Sequence, residues 1–307
     1  MSVSIQEVLR AGALNGETPI WDDSSACLLW VDVRKPSLHA FDPKTKTDRE
    51  WEMPAWIGCY GLADQGLVVA LRTGLFGFDP KTGALEFLAP PPYDPRRFTF
   101  NDGRIDPAGR FLAGTMYVPL KPGDQQKERG HGTPLWRLEP GRTWAPRTQD
   151  VHTSNGLAWS PDGRRLYHSD TMRQKIWAWD YDPDSGDMTG RRTFVQLQDL
   201  PDGTGPDGAS VDGEGFYWCA IYGCGRLHRY DPDGRLEREV VLPIRYPTMP
   251  AFGGADLDVI YVTSANWQLD PAERRKAPME GSILALPAPV SGLPTSRMIP
   301  PKPKDGQ

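Results

Sequence analysis

Four oxygen-bearing side chains recur at one offset in this sequence. Glu17 in Gly-Glu-Thr-Pro-Ile-Trp, Asn101 in Asn-Asp-Gly-Arg-Ile-Asp, Asn155 in Asn-Gly-Leu-Ala-Trp-Ser and Asp207 in Asp-Gly-Ala-Ser-Val-Asp each stand five residues before a turn, the turns beginning at Asp22, Asp106, Ser160 and Asp212. In a repeat protein an equal offset means an equal place in each repeat, so the four should converge on one axis. Two carboxylates and two carboxamides make an all-oxygen donor set, which suits calcium, magnesium or manganese and tolerates zinc.

The elements that must carry these residues are short strands. Phe41-Asp42-Pro43, Phe78-Asp79-Pro80, Leu138-Glu139-Pro140, Tyr181-Asp182-Pro183, Tyr230-Asp231-Pro232 and a degenerate Leu286-Pro287 end strands at intervals of 37 to 60 residues. Such a period, with several strands in each unit, belongs to propeller blades and not to helical repeats. Gly and Pro make 63 of 307 residues and no segment sustains a 3.6-residue apolar stripe, so turns should be dense and helices few. The sequence therefore predicts an all-β, six-bladed β-propeller with an axial divalent-metal site. It should form one domain over residues 1–307, with a core from about 5 to 294 and a flexible tail at 295–307. Matching Tyr60-Gly61-Leu62-Ala63 to Asn155-Gly156-Leu157-Ala158, and Met249 by its distance from Gly254-Ala255-Asp256, completes the ring as Glu17, Tyr60, Asn101, Asn155, Asp207, Met249. One arc is oxygen-rich. The other, with Trp56 beside Tyr60, is apolar, as a wall against a carbon skeleton would be.

The net charge of −5 argues against a nucleic-acid partner, which would want a basic face. No apolar run approaches the ~18 residues of a membrane span, and the first residues lack the charged start and apolar stretch of a secretion signal. The expectation is a cytoplasmic protein with a small-molecule ligand, no nucleic-acid or membrane partner, and a monomeric or weakly homo-oligomeric state. Cys27, Cys59, Cys219 and Cys224 lack zinc-knuckle spacing and read as reduced strand thiols. The five histidines are scattered, and no nucleophile elbow, Walker loop or dinucleotide fingerprint occurs. The Asp-Pro segments read as hairpin turns, because they lack the closing Glu of a helical calcium loop.

Taken in order, Gly16-Glu17-Thr18-Pro19-Ile20-Trp21, the run Asn101 to Arg110, Gly114-Thr115-Met116, Ser154-Asn155-Gly156-Leu157, Pro206-Asp207-Gly208 and Ala251-Phe252-Gly253-Gly254 resemble the motifs of the regucalcin/gluconolactonase family, which includes senescence marker protein and luciferin-regenerating enzyme. The resemblance runs from about Ile5 to Pro294. It implies a six-bladed propeller holding one divalent cation and hydrolysing aldonolactones. By motif, Glu17, Asn155 and Asp207 correspond to the direct metal ligands, and Asn101 to a contact with substrate or with a metal-bound water. The family pattern usually has Arg where Thr99 stands and, in the regucalcin branch, an acid where Pro119 stands. Both are substrate contacts in that branch.

The chemistry expected of such a site is opening of a lactone by activated water, with Asp207 as general base. The substrate-binding candidates are Asn101, Thr99, Tyr60, Trp56 and Met249. Two other readings stay open: an esterase or organophosphate hydrolase on the same metal core, and a non-catalytic calcium-binding propeller. The polar, Gly-bounded stretch from Lys121 to Thr133 is expected to be an exposed loop over the pocket mouth.

Overall fold

The computed structural model describes residues 4–118 and 132–299. Each sequence repeat folds as an antiparallel sheet built from the inside outward, with four strands at 16–52, 57–89, 98–146, 154–196 and 205–241 and three at 247–287. The inner strands are Gly16–Asp22, Ile57–Ala63, Phe98–Ile105, Ser154–Trp159, Gly205–Val211 and Pro247–Gly253. Each packs against the next, and the sixth packs back against the first, closing a ring. This is the six-bladed propeller that the repeats predict.

The strands differ by place in the blade. Leu67–Leu71 is apolar and buried along its whole length because neighbouring blades cover both its faces. The outer strand Thr47–Glu52, Thr-Asp-Arg-Glu-Trp-Glu, meets water and carries charge. The core is therefore a set of wedges between blades. One joins Ile20, Leu29 and Val31 to Ile57, Tyr60 and Val69; another joins Tyr167 and Ile176 to Tyr217 and Ile221. The Asp-Pro segments are turns, as expected. Asp42 Oδ1 accepts the Lys44 N–H at 2.8 Å and Asp79 Oδ1 that of Lys81 at 2.8 Å, each carboxylate capping its own hairpin. One short α-helix, Pro271–Lys276, occurs among the described residues.

Two features of ring closure go beyond the repeat pattern. The N-terminal strand Gln6–Leu9 is the outermost strand of the sixth blade, pairing with Ile283–Pro287, so the first residues close the circle with the last repeat. The chain also stays ordered past 294. Arg297–Met298 pairs parallel with Leu62–Ala63, Arg297 Nη2 reaches Asp22 Oδ1 at 2.7 Å, and Met298 is buried. Pro119 and most of the expected mouth loop, residues 121–131, lie outside the described residues. At the end of that loop Thr133 is buried and bridges Val151.

Candidate active site

The inner strands are interrupted where the oxygen-bearing residues sit. Register shifts fall between Glu17 and Ile20, Phe100 and Gly103, Asn155 and Ala158, and Pro206 and Ala209. An extra residue in a strand breaks the alternation of faces and re-aims the side chains beside it. Thr18 and Gly156, which directly follow Glu17 and Asn155, take φ of 46° and 61°. For a β-branched residue this conformation is strained by about 1–3 kcal/mol.

Re-aimed in this way, the four side chains come together. Asn101 Nδ2 donates to Asn155 Oδ1 at 2.8 Å and to the Ser154 carbonyl at 2.9 Å. Asn155 Nδ2 donates to Thr171 Oγ1 at 2.7 Å, and that hydroxyl donates to the Pro206 carbonyl at 2.8 Å, one residue before Asp207. With its amide nitrogen committed to Thr171, Asn155 keeps its carbonyl oxygen on the Asn101 side. Among the described residues no donor is bonded to the Asn101 amide oxygen.

Two buried aspartates fix the approach to this cluster. Asp32 accepts the Leu14 and Asn15 N–H groups at 2.7 and 3.0 Å, and Asp170 accepts those of His152 and Thr153 at 2.8 and 3.2 Å. Asp32 and Asp170 each follow the axial residue of their blade by fifteen positions. That equal offset was the signal by which sequence could have found them. For Asp170 the outcome is a backbone clamp at a strand end.

Like charge collects at the axis. Burial pushes the Glu17 carboxyl well above its usual range, and Asp207 and Asp102 push it further. Burial and Asp102 do the same to Asp207. Asp102, from the Asn-Asp-Gly motif, is itself raised by burial, with Arg104 and the Leu157 N–H opposing. Its second oxygen is buried without a hydrogen-bond partner. Among the described residues no basic side chain forms an ion pair with Glu17 or Asp207. Nor is any group of three or more His, Cys, Asp and Glu side chains placed to hold a metal; the set here draws on carboxamides as well as two carboxylates. Acceptor-rich, mutually repelling and uncompensated, it fits a hard cation.

The other sequence candidates lie elsewhere. Tyr60 is fully buried in the wedge between the first and second blades, Thr99 is buried near the Tyr93 ring system, and Met249 is buried where an added Cβ on Gly208 would strike it. Trp56 alone of these presents surface, flanked by the guanidiniums of Arg34 and Arg72 at 5.4 and 5.3 Å. Ser154 Oγ lies 2.7 Å from His168 Nε2, but both residues are fully buried and burial lowers that imidazole to about 3. The pair is packing and no nucleophile. A cavity of about 270 Å³ lies toward the other end of the inner strands, walled by Ile20, Trp21, Ile105, Trp159 and Phe252 around Arg104. None of the four oxygen-bearing residues lines it.

Six blades whose inner strands converge four such oxygens define a propeller with an acceptor-rich axial site. The chain belongs to the family described as SMP-30/Gluconolactonase/LRE-like region, whose model matches residues 15–266. It is 36% identical over 293 residues to a Pseudomonas putida protein named 6-deoxy-6-sulfogluconolactonase, covering 95% of this chain and 97% of that one. It is 35% identical to regucalcin of Xenopus laevis, covering 93% and 94%. Among solved structures, a calcium-binding regucalcin from Agrobacterium tumefaciens superposes with a TM-score of 0.89 at 26% identity, covering 97% and 98%. No helix among the described residues is long and apolar enough to cross a membrane.

Proposed function

We propose that the protein is a metal-dependent hydrolase that opens a sugar-acid lactone in carbohydrate catabolism, with Glu17, Asn155 and Asp207 holding one divalent cation. The observation that carries this reading is the buried, mutually repelling pair Glu17 and Asp207 beside two carboxamides whose orientation is fixed by hydrogen bonds. When bound there, a cation would supply Lewis acidity toward the lactone carbonyl and lower the pKa of water. This chain's residues do the rest. Asp207 accepts the proton of the attacking water on a carboxylate oxygen. Asn101, held by Ser154 and Asn155, offers its amide oxygen to a substrate hydroxyl. Asp102 stays behind the site, keeping the local potential negative, while Arg104 offsets part of its charge. The lactone supplies its own leaving alkoxide, tethered to the product, so no nucleophilic side chain is needed.

The substrate class we infer is a modified aldonolactone: a pentono-, deoxy- or terminally substituted lactone taken at least as well as D-glucono-1,5-lactone. Thr99 is buried and carries no guanidinium, so the fork of donors that the resemblance expects at this position is missing here. The relative named 6-deoxy-6-sulfogluconolactonase supports the same class.

The test is turnover of a lactone panel, corrected for spontaneous opening, with calcium, magnesium, manganese or zinc restored after chelation. Asp207→Asn should reduce kcat/KM by about 10³-fold or more while leaving the circular dichroism spectrum unchanged, since both a charged ligand and the base are lost. Near-normal activity in that variant, or full activity under chelation, would sink this mechanism.

A further inference from the structure

Arg34, in the turn after the strand that pairs with Glu17, is left unused by the lactone chemistry. It lies three residues past Val31, which pairs with Glu17, and the Val33 N–H is bonded to the Asn15 carbonyl at 3.0 Å. Trp267 reaches the same turn, its N–H donating to the Leu14 carbonyl at 3.0 Å. The Arg34 guanidinium carbon lies 3.7 Å from the Trp267 ring centroid and 5.4 Å from that of Trp56. It also lies within electrostatic reach of Tyr222, which in turn feels both Asp207 and Glu17. The guanidinium thus lies in the turn that follows the strand paired with Glu17, against Trp267 and Trp56.

What it lacks is an anion. Among the described residues the Arg34 guanidinium makes no hydrogen bond and no ion pair, although the residue is half-buried. Its nearest acid in sequence, Asp32, spends its oxygens on the N–H groups of Leu14, Asn15, Arg34 and Lys35. Several other arginines with restricted exposure meet an acid. Arg110 meets Asp106, Arg137 and Arg147 meet Glu139, and Arg229 meets Asp212. Across the same Trp56 ring, Arg72 gives its donors to the Pro95 and Arg96 carbonyls. A cation held against an indole ring, its N–H donors unspent among the described residues, is organised in advance to take a planar or tetrahedral oxyanion through paired N–H groups.

We propose that Arg34, framed by Trp56 and Trp267, is a subsite for an anionic group on the terminal carbon of the lactone, a phosphate or a sulfonate. The inference rests on the hydrolase reading above. Without such a cation the carboxylates at the axis would repel a charged lactone; with it, the negative tail is held at Arg34 while the neutral ring carbonyl is presented to the axis.

The experiment compares kcat and KM for D-glucono-1,5-lactone, its 6-phosphate and its 6-deoxy-6-sulfo analogue, in the full chain loaded with cation, for wild type, Arg34→Gln and Arg34→Lys. Wild type should favour at least one charged lactone by roughly 10- to 100-fold, through KM, the range a charged hydrogen-bonded contact supplies. Arg34→Gln should lose at least tenfold more on that substrate than on the neutral one, and Arg34→Lys should recover part of the loss. Preference for phosphate over sulfonate, or the reverse, identifies the source of the anion. Turnover of the neutral lactone with no gain from charge, or an Arg34→Gln loss equal on all three, overturns the subsite and leaves the hydrolase standing. Turnover of none of the three overturns both.

Discussion

Two arcs of the same ring are built from the same repeat and end with opposite chemistry. In the first, third, fourth and fifth blades the inner strand leaves its ladder at or just after the axial residue, at Glu17, Asn101, Asn155 and Asp207. In the second and sixth it leaves earlier, between Ile57 and Cys59 and between Pro247 and Met249, so Tyr60 and Met249 come after the break, paired with Val69 and Thr263, whereas Glu17 and Asn155 are the last paired residues before theirs. A side chain inside a regular ladder points into the wedge between blades, and Tyr60 is core there. A side chain at the break is free to turn toward its neighbours across the ring. Position of the bulge, as much as residue type, separates the polar arc from the packed one.

The most damaging way to break that difference is to regularise a bulge. Gly156 has φ of 61°, and a Cβ there would lie 2.3 Å from the Tyr217 hydroxyl and 2.7 Å from Ser169 Oγ. Gly156→Ala should cost about 2–4 kcal/mol, from left-handed strain plus overpacking. It should also weaken cation binding at least tenfold, because Asn155 is the residue displaced. Denaturant unfolding and calorimetric titration of calcium or manganese read the two effects separately. A stability loss with unchanged cation affinity would mean that the bulge serves the fold alone.

The comparison also marks what the sequence could tell. Blade number, hairpin turns and the identity of the oxygen-bearing set followed from repeat spacing, since turns and offsets are local signals. The exact aim of a side chain was not legible, because a bulge is set by pairing with a strand fifteen residues away. Tyr60 shows the limit: its Tyr-Gly-Leu-Ala matches Asn-Gly-Leu-Ala, yet the turn that follows is tighter, with Ala63 N–H bonded to Gly66 O where Ser160 N–H bonds to Arg165 O. Counting back from the turn therefore misplaces the axis in that blade. Arg34 was invisible for a different reason, since a free guanidinium is recognised only by the partners it fails to meet. The order of residues 295–299 depends on pairing with Leu62–Ala63, far away in sequence.

A milder change sharpens the polar arc instead of breaking it. Thr171 belongs to neither arc, but its hydroxyl ties the Asn155 amide to the strand carrying Asp207. Thr171→Val keeps the shape and removes both bonds. Cation affinity should fall by about tenfold, the size expected when a group that orients a ligand is lost. At saturating cation kcat should recover most of its value, because no reacting group has been removed. A kcat that stays low at saturation would place Thr171 in the chemistry, and an unchanged affinity would show that Asn155 needs no such support.

The smallest effect should come from the apolar arc. Met249 is buried as the first paired residue after its blade's register shift and lies where any Cβ on Gly208 would meet its Cγ at 2.3 Å, so it fills the space beside the Asp207 strand without offering a donor. Met249→Leu keeps volume and apolarity, and such exchanges usually cost under about 1.5 kcal/mol. Cation affinity should stay within about twofold, since nothing in the polar arc changes its hydrogen bonds. Met249→Asn asks the harder question, whether residue type alone makes a ligand. The added carboxamide would be buried inside a paired strand and left without a partner, costing about 1–3 kcal/mol, with no gain in cation affinity. If Met249→Asn bound the cation more tightly, the axial ring would accept a ligand at any blade, and bulge position would not be what divides the two arcs.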